Sequence, residues 1–179
     1  MSHPLFDKHR ATLERALTAI AERTYWSAFP ESASPKVYGD GAAEAGKAAF
    51  DALRDKPFAL DPAAYDGRRA GRERSPFGFD LGITYPARDL DTLFAAIARA
   101  ERAWRKAGPE TWVGVCLEIL ARLNRESFVI ANAVMHTTGQ AFMMAFQAAG
   151  PHAQDRGLEA VAYAYDAMRR VPAEAMWEK

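Results

Sequence analysis

The sequence predicts a mainly α-helical fold, and three observations carry that reading. About one residue in five is alanine, the strongest helix former and a residue depleted from strands. Large apolar residues recur at spacings of three and four over most of the chain. The alternation that marks a half-buried strand is confined to one short stretch, Leu81-Gly82-Ile83-Thr84-Tyr85, which reads as a short edge strand.

The first helix is predicted from Pro4 to about Thr24, with proline at a first-turn position where its missing N–H costs nothing. Phe6, Leu13, Leu17 and Ile20 form its apolar stripe. Tyr25, Trp26 and Phe29 follow as an aromatic cluster expected to pin the Pro30–Pro35 turn region onto the core. A second helix is expected from an Asp40 N-cap to about Arg54, burying Ala43, Phe50 and Leu53. From Asp55 to Pro86 four prolines and four glycines remove any sustained period, so this stretch reads as a long irregular loop. Its basic run, Arg68-Arg69-Ala70-Gly71-Arg72-Glu73-Arg74, has no interleaved aromatic residue and reads as solvated.

Beyond Pro86 the pattern is helical almost to the end. Asp89 or Asp91 caps a helix whose expected buried line is Leu93, Ile97, Ala100 and Trp104, and Gly108-Pro109 ends it. The next helix buries Val113, Cys116, Leu117, Leu120 and Leu123. After a break at Asn124–Ser127, another carries Phe128, Ile130, Ala131 and Val134 and stops at Thr137-Thr138-Gly139. A short helix spans Ala141 to Ala148. The last runs from about Pro151 to Arg170 with Leu158, Val161, Ala162, Tyr165 and Met168 at helical spacing. The division is therefore 1–86, helices and a long loop, and 87–179, a helical segment, expected to fold as one unit.

Composition excludes several classes of function. The chain has 179 residues with 49% apolar content, and 23 Lys plus Arg balance 23 Asp plus Glu, so it is not disordered and has no global field for nucleic acid or an anionic membrane. No apolar run reaches the ~18 residues of a membrane span. Asp7, Lys8 and Arg10 replace a signal-peptide core, and a cytoplasmic protein is expected. The lone cysteine, Cys116, rules out an internal disulfide and any CxxC motif.

The catalytic inventory is thin. His3, His9, His136 and His152 lack the spacing of a helical metal site, and no metal is expected. His136 is expected to hydrogen-bond at its helix terminus, and His152 is a candidate to enter a pocket. Cys116 lies mid-helix on the apolar stripe and reads as core. No GxSxG, GxGxxG or phosphate-binding glycine loop is present. Glu118, Glu126 and Glu159 stand on separate helices with no carboxylate partner in view. The least ordinary stretch is Phe142-Met143-Met144-Ala145-Phe146, which covers nearly a whole helical turn with large apolar groups, as a buried helix or the wall of an apolar channel does.

From Pro86 onward the order of motifs resembles the N-terminal helical portion of the aldehyde dehydrogenase superfamily. The relevant residues are an Ala-rich helix ending in Trp104-Arg105, Gly108-Pro109, the helix Val115 to Asn124, the turn Thr138-Gly139-Gln140 and the helix with Ala162-Tyr163-Ala164-Tyr165. Over nearly the whole chain, Tyr25-Trp26-Ser27, residues 34–39, residues 81–86, residues 135–140 and residues 152–157 resemble the phenylacetic acid degradation (PaaN-type) branch.

That resemblance implies NAD(P)-dependent oxidation of an aldehyde, a semialdehyde of aerobic phenylacetate breakdown, by a cysteine thiolate, hydride transfer to nicotinamide and a glutamate-activated water. The family's catalytic cysteine, glutamate, oxyanion asparagine and coenzyme-binding glycines lie downstream of these residues, and Cys116 matches none of them. No catalytic, cofactor-binding or metal residue is therefore expected in this chain, and Gln140 stands where the family more often has lysine. The chain reads as an N-terminal segment, not catalytic by itself, of a family whose complete fold is α/β. Phe142, Met143, Phe146 and His152 become candidates for the wall of the substrate tunnel. Homo-oligomerisation or self-association through exposed apolar helix faces is expected. The alternatives are a stand-alone helical binding or adaptor module and a small-ligand binder with an internal pocket.

Overall fold

The computed structural model describes residues 3–60, 67–172 and 175–178; residues 61–66 of the expected loop lie outside the described residues. It is mainly helical, as the sequence predicts. The elements in order are α1 (Pro4–Glu22), α2 (Pro35–Tyr38), α3 (Ala42–Asp51), β1 (Arg69–Ala70), β2 (Tyr85–Pro86), α4 (Leu90–Arg125), α5 (Ser127–Thr138), α6 (Phe142–Gln147) and α7 (Ala153–Arg169). The segment Ala148–His152, broken at Gly150 (φ −97°, ψ −110°) just before Pro151, joins α6 to α7.

Three apolar clusters organise the chain. In the first, Phe6, Leu13 and Ala16 of α1 meet Val113 and Leu117 of α4 and Leu158 and Ala162 of α7. Gly114 permits this packing, because a Cβ there would lie 2.5 Å from the backbone nitrogen of Phe6. Each large side chain fully buried in such a contact contributes about 1.5–3 kcal/mol. In the second cluster, Phe50 of α3 packs with Leu81 and Ile83 of the loop, and with Leu53, Phe58, Phe79, Val129 and Ala133 around them. In the third, Phe128 and Ala131 of α5 meet Phe146 of α6, with Tyr38 and Phe142 alongside. Polar bonds close the seams. Asn124 donates to Gln154 at 2.9 Å, Gln154 donates to Ser127 at 3.3 Å, and Asp155 accepts from Ser27 and the Ala28 amide.

Several local expectations give way to tertiary context. Asp40 does not cap the second helix; Gly41, at φ 75°, precedes its first turn with no side-chain cap bond. The short α2, started by Ser34 over Pro35, sits inside the expected turn region. Tyr25 is exposed, while Trp26 and Phe29 do pack on the first cluster. The expected strand 81–85 pairs as a ladder only at Tyr85–Pro86, against Arg69–Ala70. Gly82, at φ 65°, interrupts the extended run, although Leu81 and Ile83 still point inward. Arg69 and Ala70 of the basic run thus join the two-residue ladder, and the rest of the run is exposed apart from half-buried Gly71.

The largest difference lies in α4. Asp89 caps it, accepting from the Thr92 amide at 2.8 Å. The expected break at Gly108-Pro109 is present: Gly108, at φ 80°, ψ 170°, is not helical and divides α4 into two helical halves. Beyond that break Val113 and Leu117 are buried, Cys116 and Leu120 are half-buried, and Leu123 is exposed. Before it, the expected buried line is in water: Leu93, Ile97, Ala100 and Trp104 are all exposed. The stripe is real, and no described element covers it.

Candidate functional site

Helix α6 begins after extended Ala141, just beyond Gly139, whose left-handed φ of 78° closes α5. Six residues give it little more than one and a half turns, so its apolar groups point in several directions. Phe146 is completely buried and packs on Phe128 at 4.9 Å and edge-on to Tyr38 at 5.6 Å. Phe142 is half-buried, its ring 6.4 Å from Phe128 and 6.5 Å from Phe146. Met143 and Met144 face solvent, which departs from a helix buried on most sides. Met143 borders a shallow depression with Glu31, Ser32, Ala33, Ser34 and Gln147. His152 does not enter a pocket: its exposed ring places Nε2 2.6 Å from Glu31 Oε1. Of the four expected channel residues, Phe142 and Phe146 therefore stand in the aromatic cluster, while Met143 and His152 meet the surface around Glu31.

A more enclosed apolar site lies elsewhere. A groove of about 500 Å³ runs between α3, the 81–85 segment and α5. Phe50, Leu53, Phe58, Ile83, Val129 and Ile130 line it, and Tyr85, Glu126 and Thr137 supply its polar groups. Burial, reinforced by Glu73, holds the Tyr85 hydroxyl above the ordinary tyrosine range. The i, i+2 pair Leu81 and Ile83 is visible in the sequence, but its partners on α3 and α5 are too distant along the chain to be foreseen.

His136 stands beside this groove instead of bonding at its helix terminus. Its ring stacks on Phe50 at 5.2 Å, meets Phe77 edge-on and Phe79 at a tilt, and places Nδ1 3.1 Å from Ser75 Oγ. Desolvation among the rings, with the charge of Arg54 second, pushes its pKa below the ordinary histidine range. A neutral imidazole fits this cage. Ser75 is buried and its hydroxyl also accepts from the Phe77 amide, so the pair stitches the loop to α5.

The strongest electrostatic cluster is Glu118, buried on α4. Its carboxylate accepts from Lys8 at 2.7 Å, contacts His9 Nε2 at 2.7 Å, and accepts from Arg122 at 3.0 Å. Hydrogen bonds from Lys8, His9 and Arg122, in that order, hold its pKa far below the carboxylate range. This is a cation-satisfied tie between α1 and α4, and a carboxylate so strongly stabilised as an anion is a poor general base. Among the described residues no group of three His, Cys, Asp or Glu is arranged to hold a metal ion. No described helix is long and apolar enough to cross a membrane.

The starts of α1, α4 and α7 carry acidic residues. A pyrophosphate needs free amides and positive potential at a helix N-terminus. Here α1 starts with the His3 side chain accepting from Leu5 and carries Asp7 in its first turn, α4 has Asp89 and Asp91, and α7 has Asp155. These carboxylates would repel the phosphates.

No protein-family model and no curated protein sequence matches the chain. Among solved structures, the chain is similar to the crystal structure of an NAD-dependent aldehyde dehydrogenase from Burkholderia multivorans. The match has 61% sequence identity and a TM-score of 0.93, and it covers 100% of this chain and 32% of that one. The 179 residues thus span about one third of the length of the structure they match, and share its fold over that third.

Proposed function

We propose that this chain belongs to the aldehyde dehydrogenase superfamily and forms the N-terminal helical portion of an NAD-dependent enzyme oxidising an aldehyde. One observation supports the reading above the others: 61% identity sustained over every residue of the chain. Identity at that level reaches surface and loop positions as well as the core, which fold similarity alone does not require. In this reading the nicotinamide supplies hydride acceptance when bound to the complete enzyme. In the same reading the residues that hold it belong to the part of the enzyme outside the match, which agrees with the acidic starts of α1, α4 and α7. The role of the chain is to form and support apolar walls. Phe146 and Phe142 pack α6 onto α5, and the exposed Met143 is the member of the expected channel set that we assign to substrate contact.

The finer assignment is to the phenylacetate-degrading branch, with a ring-derived semialdehyde as substrate, in a homo-oligomeric cytoplasmic enzyme. It rests on the five sequence blocks that resemble that branch. The test is a chimera in which these 179 residues replace the matching third of the Burkholderia enzyme. We expect NAD reduction with aldehydes, and a higher kcat/KM for an unsaturated long-chain semialdehyde than for acetaldehyde. A folded chimera that does not reduce NAD would overturn the family reading, and indifference between the two aldehydes would overturn the branch. The 179-residue chain alone should reduce no NAD, whereas turnover by it would contradict a purely supporting role.

A further inference from the structure

The groove between α3, the 81–85 segment and α5 shares no lining residue with the depression beside Met143. Its volume of about 500 Å³ falls within the range of roughly 300–1,000 Å³ typical of small-molecule sites. Phe50, Leu81 and Ile83 in its wall are buried, while Tyr85 and Leu123 at its mouth are exposed.

The walls are fixed without a ligand. The Phe58 amide donates to the Thr84 carbonyl at 2.8 Å, the Asp55 amide to the Leu81 carbonyl at 3.1 Å, and the Leu81 amide to the Glu73 carbonyl at 3.0 Å. Behind Phe50 stands the stacked ring of His136. The segment carrying Leu81 and Ile83 is thus tied to chain on both sides, and it has little freedom left to lose when a ligand enters.

The polar groups select the ligand. Glu126 is the one charged residue among the described residues that line the groove. Among the described residues no ion pair or side-chain hydrogen bond engages its carboxylate. Arg125 beside it lines the neighbouring depression and not this groove. Thr137 donates its hydroxyl proton to the Ala133 carbonyl at 2.8 Å, which leaves it only acceptor capacity. A carboxylate likewise only accepts. With no lining cation, the groove has no counterpart for a carboxylate or a phosphate. An apolar body with a positively charged N–H donor is its complement.

We propose that this groove binds a small primary alkylammonium ion, with the apolar chain among Phe50, Phe58, Ile83 and Ile130 and the ammonium donating to Glu126. The apolar wall supplies affinity and Glu126 supplies the choice of head group. The site is built from residues of this chain alone and does not depend on the aldehyde reading.

The test titrates the 179-residue chain, labelled at its isoleucine methyl groups for NMR, with hexylamine, hexan-1-ol and hexanoate at neutral pH. Ile83 and Ile130 line the groove, and Ile20, Ile97 and Ile119 lie outside it as controls. We expect hexylamine to shift the Ile83 and Ile130 signals and leave the controls in place. It should bind about tenfold more tightly than hexanoate, with the alcohol between them. Glu126→Gln, an exposed change, should keep alcohol binding and bring the amine to within about twofold of the alcohol. Hexanoate binding as tightly as hexylamine would overturn the proposal, as would amine preference unchanged in Glu126→Gln or shifts at Ile97 in place of Ile83 and Ile130. Equilibrium dialysis of the chimera described above against hexylamine, with and without Glu126→Gln, repeats the reading in the longer chain. Binding that Glu126→Gln weakens supports the site. No amine binding by a folded chimera would mean that the rest of the chain covers the groove, and would overturn it.

Discussion

The two halves of α4 carry similar sequence patterns and meet different fates. Beyond Gly108, Val113, Gly114, Leu117 and Glu118 are buried against α1 and α7, and the helix there is a structural centre of the chain. Before Gly108, Leu90, Leu93, Phe94, Ile97 and Trp104 repeat the helical apolar spacing and remain in solvent. A periodic apolar stripe shows that a helix has a face to bury. It does not show that the covering surface lies in the same stretch of chain.

That contrast can be broken or sharpened by substitution in the 179-residue chain, monitored by urea unfolding. The largest effect is expected at Phe6, which is 1% exposed and fills the contact with the second half of α4. Phe6→Ala should cost about 3–5 kcal/mol, the range for deleting a buried aromatic side chain. Gly114→Ala comes next. Its new Cβ would meet the α1 backbone at 2.5 Å, so the helices must separate, at about 1–3 kcal/mol. A near-neutral Gly114→Ala would mean that α1 does not pack on α4 as described.

His136 gives a smaller, pH-dependent effect from outside both halves. Its pKa in the folded chain is lowered from 6.5, so between that value and the lowered one the unfolded chain binds more protons. Stability should be full above about pH 6.5 and decline as pH falls through the histidine range. His136→Gln should flatten this part of a Tm profile, and an unchanged slope would remove the aromatic cage as its cause. The smallest effect belongs to the first half of α4. Ile97→Ala should change the stability of the isolated chain by no more than about 0.5 kcal/mol, as an exposed substitution does.

Much of the helical framework was legible because its signals are local. Pro4 starts α1, Asp89 caps α4, Gly139 ends α5, and the apolar period places Phe6, Leu13, Val113, Leu117 and Leu158 on buried faces. Where the sequence reading departed from the fold, non-local partners decided. Gly46 is buried so close to α5 that a Cβ there would lie 2.3 Å from that of Phe128, and no period announces such a close approach. Glu118 finds Lys8 and His9 more than one hundred residues away in sequence. His136 was expected to use the near end of its own helix, yet the loop supplies Ser75, Phe77 and Phe79. The candidate site was less legible than the fold for the same reason. Residues 142–146 announce an apolar helix, while the direction of each side chain depends on Tyr38 and Phe128 behind it.

Amide hydrogen exchange along α4 in the 179-residue chain tests the central contrast most directly, because both halves are read in one experiment under one condition. We predict protection approaching that of global unfolding at residues 113–121, and exchange orders of magnitude faster at residues 94–106, where no described element covers the helix. Equal protection in the two halves would contradict the account, since the first half would then be as firmly held within this chain as the second.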